Sequence, residues 1–264
     1  MPLLDFLSRR LQLSRRKAKD LLDSRNEFVN ERRIWMARHT LAAGDQVAAL
    51  LSTPLAPGSA PAALPLLLAD EHLLAIDKPA GLAANGPDSA ESRLQAERAD
   101  PAIRAVHRLD RDTSGCLLFA RSAEAFDRMV ALFREHAVSK IYQVLATGRL
   151  EGSDTIRRPL EGLPAVTSFA VLAANALASH LRVKIETGRT HQIRKHLSAL
   201  GHPVVGDRSY GTARAVPEPL RAVSRQMLHA ARISFRHPFT GEQVDVTAPL
   251  PRDFRAMLDR LRLR

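Results

Sequence analysis

The sequence contains a single cysteine. Cys116 is the one thiol among 264 residues, so the chain has no partner for an internal disulfide and cannot build a zinc site on cysteines. This composition is typical of a protein from a reducing cytoplasm. Leu117, Leu118 and Phe119 follow the thiol directly, and we therefore expect Cys116 to be a small buried apolar residue.

Aromatic residues and long apolar runs are also scarce. Phe, Trp and Tyr make up 5% of the chain, which disfavours a protein that grips single strands mainly by stacking bases on rings. No stretch approaches the roughly 20 apolar residues that cross a bilayer. Residues 1–5 lack the basic region and apolar stretch of a secretory signal. We therefore expect a cytoplasmic protein with no membrane partner.

The composition is otherwise that of a globular protein with a basic surplus. Hydrophobic residues account for 45% and charged residues for 25%, enough for a core and against wholesale disorder. Lys and Arg total 39 against 28 Asp and Glu, a formal net charge of +11. Such a surplus favours a polyanionic partner, most simply nucleic acid, although a generally Arg-rich proteome would produce the same excess.

Four prolines divide the chain into two parts. They stand at positions 54, 57, 61 and 65, and residues 53–66 are therefore predicted to form a semi-extended linker. Residues 1–52 form a small basic unit, with one helix predicted from Leu4, Leu7 and Leu11 and a second after Ser14. The second helix carries four basic residues that are candidates for binding nucleic acid: Arg15, Arg16, Lys17 and Lys19.

Residues 67–264 mix strand and helix periodicities. The elements predicted there are strands over 115–120, 140–147 and 180–187, a hairpin around Thr240 and Gly241, helices capped by Ser122 and by Thr190, the latter ending at Gly201, and a helix over 254–261. Because strands and helices are interspersed, we predict an α+β fold with a largely antiparallel sheet flanked by helices.

Four polar segments lie among these elements: Asp77–Leu82, His107–Gly115, Lys140–Tyr142 and Glu186–His196. Each alone is compatible with a purely structural role, as a turn, an ion-paired loop, a strand or a helix start. Two histidines five residues apart, with no glutamate after the first, exclude a metalloprotease-type zinc site. The H-R-L-D stretch lacks the glycine-rich loop and D-F-G of a kinase, which excludes phosphoryl transfer.

Taken in order, these segments resemble the RluA-type family of RNA pseudouridine synthases. The family's nucleophile loop, H-R-L-D-x-x-T-S-G, is matched from His107 to Gly115, its K-x-Y element from Lys140 to Tyr142, and its G-R-T-H-Q-[IL]-R element from Gly188 to Arg194. Further matches are Asp77–Leu82, Gly201–Pro203, Gly206–Asp207, Tyr210–Gly211, Arg225–Gln226 and Leu228–Ala230. The resemblance spans nearly all of residues 67–264.

This resemblance implies a pseudouridine-synthase-like catalytic domain that isomerises uridine to pseudouridine within RNA. No redox step or energy source is needed, and we expect no cofactor and no metal. Asp110 would be the nucleophile, attacking either the ribose or the base. Arg194 would keep that carboxylate charged, and Tyr142 would pack on the uracil and serve proton removal from it.

The same resemblance suggests the substrate-binding residues. Ile193 would be an apolar wall against the ring, and Arg108 would fill the place that the everted base vacates. Arg189 and His191 lie at the predicted start of a helix, where anions are favoured. Asp112 is expected to be a surface charge.

Residues 1–52 resemble the RNA-binding module named after ribosomal small-subunit protein four. The matches include Leu4–Leu7, Ser14–Arg15, Leu21–Leu22, Val29–Asn30 and Gly44–Val47. The chain departs from that module at Asn26 and Glu31, near the positions where it usually carries glycine. The alternative is a basic two-helix cap on the catalytic unit.

The module favours ribosomal RNA as substrate, with the large subunit first and transfer RNA as the alternative. A non-catalytic RNA-binding or ribosome-assembly protein is a second class, and a hydrolase that uses Asp110 and Asp112 is a third. No protein partner can be inferred from the residues.

Overall fold

The computed structural model describes residues 2–11, 14–15, 18, 27–29, 32–33, 39–42, 44–49, 63–211, 220 and 223–263. The chain divides into two compact units, Met1–Ala62 and Ala63–Arg264. The division falls within the proline-rich residues 53–66. In the part that the structure describes, no helix is long and apolar enough to cross a membrane.

The first unit contains one helix and a small sheet. Helix α1 spans Leu3–Arg10, and strands β1 (Glu27–Val29), β2 (Arg32–Arg33) and β3 (Val47–Ala49) pair antiparallel in the order β2-β1-β3. Leu3 and Leu7 are buried in a small core. The first predicted helix is therefore present; of its predicted stripe, Leu7 is buried, whereas Leu4 and Leu11 are partly buried against the same core.

The second unit is built on a mixed sheet of ten strands. They are β4 (Leu66–Ala69), β5 (Leu73–Lys78), β6 (Arg104–Ala105), β7 (Ser114–Ala120), β8 (Ser139–Thr147), β9 (Ser153–Ile156), β10 (Thr167–Ala174), β11 (Ala178–Ile185), β12 (Leu228–Arg236) and β13 (Gln243–Thr247). The main order is β4-β5-β7-β12-β8-β11-β10-β9, with β6 beside β7 and β13 beside β12. Only β7 and β12 pair in parallel among these strands, which confirms the predicted α+β fold with a largely antiparallel sheet.

Four helices accompany this sheet: α2 (Ala90–Arg98), α3 (Ala123–Arg134), α4 (Gln192–Ala199) and α5 (Arg252–Leu261). The predicted cap of α3 is confirmed, because the Ser122 hydroxyl accepts a hydrogen bond from the amide of Ala125 at 3.1 Å. The predicted end of α4 is also confirmed, since Gly201 follows it with φ +82°, a conformation that glycine adopts without strain.

The predicted cap of α4 is wrong. His191, not Thr190, is the N-cap residue, with φ +56° and no side-chain cap. The Gln192 side chain organises this turn instead. Its oxygen accepts hydrogen bonds from the amide of Arg189 at 3.1 Å and the hydroxyl of Thr187 at 2.7 Å, so the threonine at 190 is not needed as a cap.

The apolar core lies on both faces of the sheet. Along β5, Leu74 and Ile76 face the cluster that includes residues of α2 and α4, whereas Leu73 and Ala75 face the cluster that includes α3. This alternation follows from the period of two in a strand. Cys116 is 1% exposed in the second cluster, as predicted, and burial raises the pKa of its thiol to about 12.

A close backbone approach joins the two halves of the sheet. Gly115 has φ +110°, and a Cβ atom at this position would collide with the carbonyl of Ala230. The pair lies where β7 and β12 run in parallel. Only glycine fits here, and it ends the His107–Gly115 loop at a defined point of the sheet.

Candidate active site

Three of the polar segments meet at one cleft in the second unit. The loop His107–Gly115 leads into β7, Lys140–Tyr142 lies on β8, and Gly188–Arg194 connects β11 to α4. The seven candidate residues that sequence reasoning placed in this unit all line the cleft: Arg108, Asp110, Tyr142, Arg189, His191, Ile193 and Arg194.

The centre of the cleft is an ion pair between two distant segments. Arg194 Nη1 donates a hydrogen bond to Asp110 Oδ2 at 2.9 Å, across 84 positions of sequence. The Asp110 side chain is 18% exposed and that of Arg194 7%. The carboxylate therefore faces the cleft while its cationic partner lies behind it.

A second carboxylate fixes the guanidinium from the other side. Arg194 Nε and Nη2 donate to the two oxygens of Asp207 at 2.6 and 2.9 Å, the bidentate geometry that matches a guanidinium to a carboxylate. The Asp207 side chain is fully buried. Its Oδ1 also accepts hydrogen bonds from the amides of Ser209 at 2.9 Å and Tyr210 at 3.1 Å.

These contacts hold both groups in their charged forms. Burial by itself would raise the pKa of Asp207, but the hydrogen bonds and charge of Arg194 outweigh it and lower that pKa. Burial likewise opposes the charge on Arg194, yet Asp207 and Asp110 together raise its pKa. Arg194 is therefore a fixed cation against the carboxylate of Asp110.

His191 lies beside the same carboxylate as a neutral ring. Its Nε2 is 3.7 Å from Asp110 Oδ1, too far for a hydrogen bond, and its Nδ1 is hydrogen-bonded to the Tyr210 hydroxyl at 2.9 Å. Burial lowers the pKa of His191, and the Asp110 charge only partly counteracts this. Near neutral pH the contact with Asp110 is therefore not an ion pair.

Tyr142 and Ile193 form apolar walls of the cleft. They are 8% and 5% exposed and belong to one core cluster. Burial, and then the negative charge of Asp110, raise the pKa of Tyr142. The free protein consequently holds a protonated phenol next to the Asp110 carboxylate.

The remaining candidates lie at the edges of the cleft or outside it. Arg108 is exposed at the rim, and Arg189 is half-buried, with its Nε donating to the carbonyl of Pro164 at 3.1 Å. In the first unit, Arg15 is exposed and lies 3.1 Å from Asp5. Candidates Arg16, Lys17 and Lys19 lie outside the described residues.

Sequence reasoning gave no role to Lys78, which holds the loop of Asp110. Its ammonium is 0% exposed and donates to the carbonyls of Pro79, Leu82 and Arg111 at 2.9, 2.8 and 3.0 Å. Burial lowers the pKa of Lys78 to about 7. Three carbonyls match the three protons of an ammonium, so the Asp77–Leu82 segment is an anchor for the neighbouring loop.

Asp207 and Tyr210 were matched as motif positions but were also given no role. The available signal for Asp207 is weak. Aspartate is common at the start of a turn, where its carboxylate accepts hydrogen bonds from the amides of the residues that follow, as in an Asx turn. Nothing in the spacing shows that its carboxylate would meet Arg194. In the described part of the chain, no group of His, Cys, Asp and Glu side chains could hold a metal ion.

Comparison with known proteins identifies relatives over this region. The model of a family described as RNA pseudouridylate synthase matches residues 72–199. A protein of Pseudomonas aeruginosa named ribosomal large subunit pseudouridine synthase D is 36% identical over 75% of this chain and 72% of its own length. A protein of the same name from Xanthomonas campestris is 34% identical over 85% of this chain and 78% of its own length.

Solved structures show the same fold. Human RNA pseudouridylate synthase domain containing 4 superposes with a TM-score of 0.64 over 76% of this chain and 94% of its own, at 24% identity. Human RNA pseudouridylate synthase domain containing 1 does so with a TM-score of 0.60 over 76% of this chain and 96% of its own, at 28% identity.

The buried pair makes a prediction about stability. Asp207→Asn should lower the free energy of unfolding at pH 7 by about 3–5 kcal/mol, because Arg194 loses its buried counter-charge. Since the pKa of Asp207 is lowered in the folded state, its contribution is present above the unfolded pKa near 4 and is lost as pH falls through the folded value. The deficit of the variant should therefore shrink in acid.

Urea unfolding at several pH values measures this difference. Asp245→Asn is the matched control, because Asp245 pairs with Arg232 at 2.6 Å but both side chains are more than 40% exposed. The control should cost much less than Asp207→Asn, because solvent screens an exposed ion pair. Equal losses for the two variants would mean that the buried pair does not stabilise the fold.

Proposed function

This chain belongs to the RNA pseudouridylate synthase family, and we propose that Asp110 is the nucleophile of its reaction. It is an RNA pseudouridine synthase, an isomerase. The observation that carries the assignment is the lining of the cleft: Asp110 is the single carboxylate among the described lining residues. Asp112 is exposed and does not line the cleft, which argues against a hydrolase that uses two aspartates.

The reaction needs an ionised, accessible carboxylate. Overall, the bond between uracil N1 and ribose C1′ breaks, a bond between C5 and C1′ forms, the C5 proton leaves, and N1 gains a proton. Attack by Asp110 at C1′ or at the uracil ring would begin from the same oxygen. Arg194 supports either route, because a fixed cation 2.9 Å from the carboxylate oxygen pairs with the nucleophile in a site from which the substrate excludes water.

Tyr142 and Ile193 would hold the uracil ring between their apolar surfaces. Because the raised pKa of Tyr142 keeps its hydroxyl protonated, the phenol would first pack against the base. It could accept the C5 proton only with concerted loss of its own. The cost of everting a uridine, about a few kcal/mol, would be offset by these contacts and by Arg108 entering the vacated place.

Arg189 and His191 would contact the RNA at the mouth of the cleft. Arg189 is a half-exposed cation suited to a phosphate. His191 is neutral near pH 7 and hydrogen-bonded to Tyr210, so it would offer a polar ring rather than a charge. This assignment makes both residues positioning groups for the nucleotide.

The proposed substrate is ribosomal RNA of the large subunit, in the cytoplasm. The support is the names of the relatives at 36% and 34% identity, together with the net charge of +11, which favours a polyanion. Residues 1–52 are proposed to be an RNA-binding module similar to that of ribosomal small-subunit protein four. The linker 53–66 would join it to the catalytic residues 67–264.

Removing the nucleophile should abolish turnover. Asp110→Asn should lower the rate of tritium release from RNA labelled at uracil C5 by more than about a thousandfold, with RNA affinity little changed. Asp112→Asn is the control and should retain a rate close to that of the wild type. If Asp110→Asn still turned over, Asp110 would not be the nucleophile. Free uracil among the products would indicate hydrolysis.

The substrate proposal predicts where pseudouridine disappears from the cell. Deleting the gene should abolish pseudouridine at one or more positions of large-subunit ribosomal RNA, and a plasmid copy of the wild type, but not of Asp110→Asn, should restore it. Chemical mapping of pseudouridine in total RNA measures this. If pseudouridine disappeared only from transfer RNA, transfer RNA would be the substrate instead. An unchanged pseudouridine map would favour a non-catalytic RNA-binding protein.

The basic residues of the first unit should contribute to RNA affinity through counterion release. Replacing Arg15, Arg16, Lys17 and Lys19 together by Gln should reduce the slope of log affinity against log salt by about 0.7–0.9 for each phosphate contact that is lost. The matched control removes four exposed arginines on or next to α5, at 252, 255, 260 and 262. If both quadruple variants had the same slope of log affinity against log salt, residues 1–52 would be a basic cap on the catalytic unit and not an RNA-binding module.

A further inference from the structure

A second cavity opens beside the catalytic cleft and shares a wall with it. The shared wall includes Arg108, Tyr142 and Arg189. The cavity has a volume of about 460 Å³, within the range of sites that hold small ligands. The mechanism described above leaves it without a role, although a nucleotide bound in the cleft would place its neighbours at this wall.

Lys140 lines this cavity with a largely buried side chain, and its ammonium has no counter-charge among the described residues. It stands two residues before Tyr142 on β8, and the two side chains therefore share one face of the sheet. Lys140 is 9% exposed. In the described part of the chain, no carboxylate lies within 4.0 Å of its ammonium and no acceptor is hydrogen-bonded to it; its contact is the Phe133 ring, 5.7 Å from Nζ to the centroid.

Burial lowers the pKa of Lys140, and no neighbouring carboxylate raises it. Most of the Lys140 side chain is buried, but its Nζ is not among the buried polar atoms without a partner in the described residues, so the ammonium can be reached from the cavity. Lys78 shows the contrast within the same unit, because its buried ammonium is hydrogen-bonded to three carbonyls. The cavity thus retains a cation whose partner is not supplied by the surrounding described residues.

Most of the other charges around the cavity are positive as well. Arg108, Arg134 and Arg189 line it, and Glu186, which is exposed, is the single carboxylate among its described lining residues. His107 is neutral, because burial lowers its pKa to about 4. The field in the cavity is therefore positive and favours an anion.

We propose that this cavity binds a backbone phosphate next to the target uridine, with Lys140 as its counter-ion. The inference rests on the proposed function, since the phosphate belongs to the RNA whose base occupies the cleft. Phosphodiesters flank an everted base on both sides, and contacts to them fix the register of a nucleic acid on a protein. Lys140 would thus be a positioning residue that holds the nucleotide while Tyr142, on the same strand, packs on its base.

The test measures RNA affinity for three lysine variants, all in the Asp110→Asn background so that the RNA remains unmodified. The probe is a ribosomal RNA hairpin. Lys140→Gln should weaken binding by about tenfold or more, the value of a charge-assisted hydrogen bond, and should reduce the salt slope by about 0.7. Lys140→Arg should keep the slope. Lys184→Gln is the matched control, an exposed lysine on the neighbouring strand β11, and should bind almost as the parent does.

Neutral linkages in the RNA identify the partner. A methylphosphonate is placed in turn at each linkage flanking the target uridine, as identified by cellular mapping, or flanking each uridine of the hairpin if mapping finds none. At one linkage the neutral group should weaken binding to the parent but cause no further loss in Lys140→Gln. Such non-additivity is the mark of a direct contact.

Two results would overturn the proposal. One is that, at every linkage, the loss of affinity caused by the methylphosphonate simply adds to the loss caused by Lys140→Gln. The other is unchanged affinity of Lys140→Gln combined with a slower single-turnover reaction in the Asp110 enzyme, which would make Lys140 a support for Tyr142. Formation of pseudouridine by the wild type is scored separately, so failure of the proposed function is distinguished from failure of the phosphate site.

Discussion

The guanidinium of Arg194 lies between two carboxylates, one fully buried and one facing the cleft. Asp207 binds it through two hydrogen bonds of 2.6 and 2.9 Å, and Asp110 binds the remaining Nη1 at 2.9 Å. The buried pair fixes the position of the cation, because a bidentate contact leaves a guanidinium little freedom. The carboxylate that faces the cleft then has a charged partner in a defined place before any substrate arrives.

The loop that carries Asp110 is held from two other directions. Lys78 donates to the carbonyl of Arg111, and Gly115 allows β7 to approach β12 where a side chain would collide with Ala230. The loop is thus attached to β5 through Lys78 and to β12 through the close approach at Gly115. A nucleophile on a loop thereby gains the rigidity of the core, which places its oxygen relative to Arg194.

Charged and uncharged side chains occupy different parts of the cleft. His191 is neutral near pH 7 and Tyr142 is protonated, because burial shifts both pKa values toward the uncharged form. The fixed charges that remain at the centre are Asp110 and Arg194. Lys140, which has no carboxylate within 4.0 Å among the described residues, lies toward the second cavity, so that the polyanionic backbone and the neutral base have separate surroundings.

The sequence by itself determined the α+β class, the buried thiol, and which segments carry the chemistry. Alternation along the strands, the Ser122 cap and the ordered motifs from His107 to Arg194 are local signals, and each depends on residues near one another in the chain. The same local reasoning assigned the cap of α4 to Thr190, because the competing Gln192 side chain depends on contacts that spacing does not reveal.

Only the tertiary structure decided how those segments meet. Spacing does not show that Asp207 is the buried partner of Arg194, that Lys78 anchors the Asp110 loop, or that Lys140 has no carboxylate within 4.0 Å among the described residues. These facts concern atoms from distant parts of the chain brought within a few ångströms by the sheet order β5-β7-β12-β8-β11. Ionic and hydrogen-bonding energies act over such short distances, so they are settled by the fold and not by proximity along the sequence.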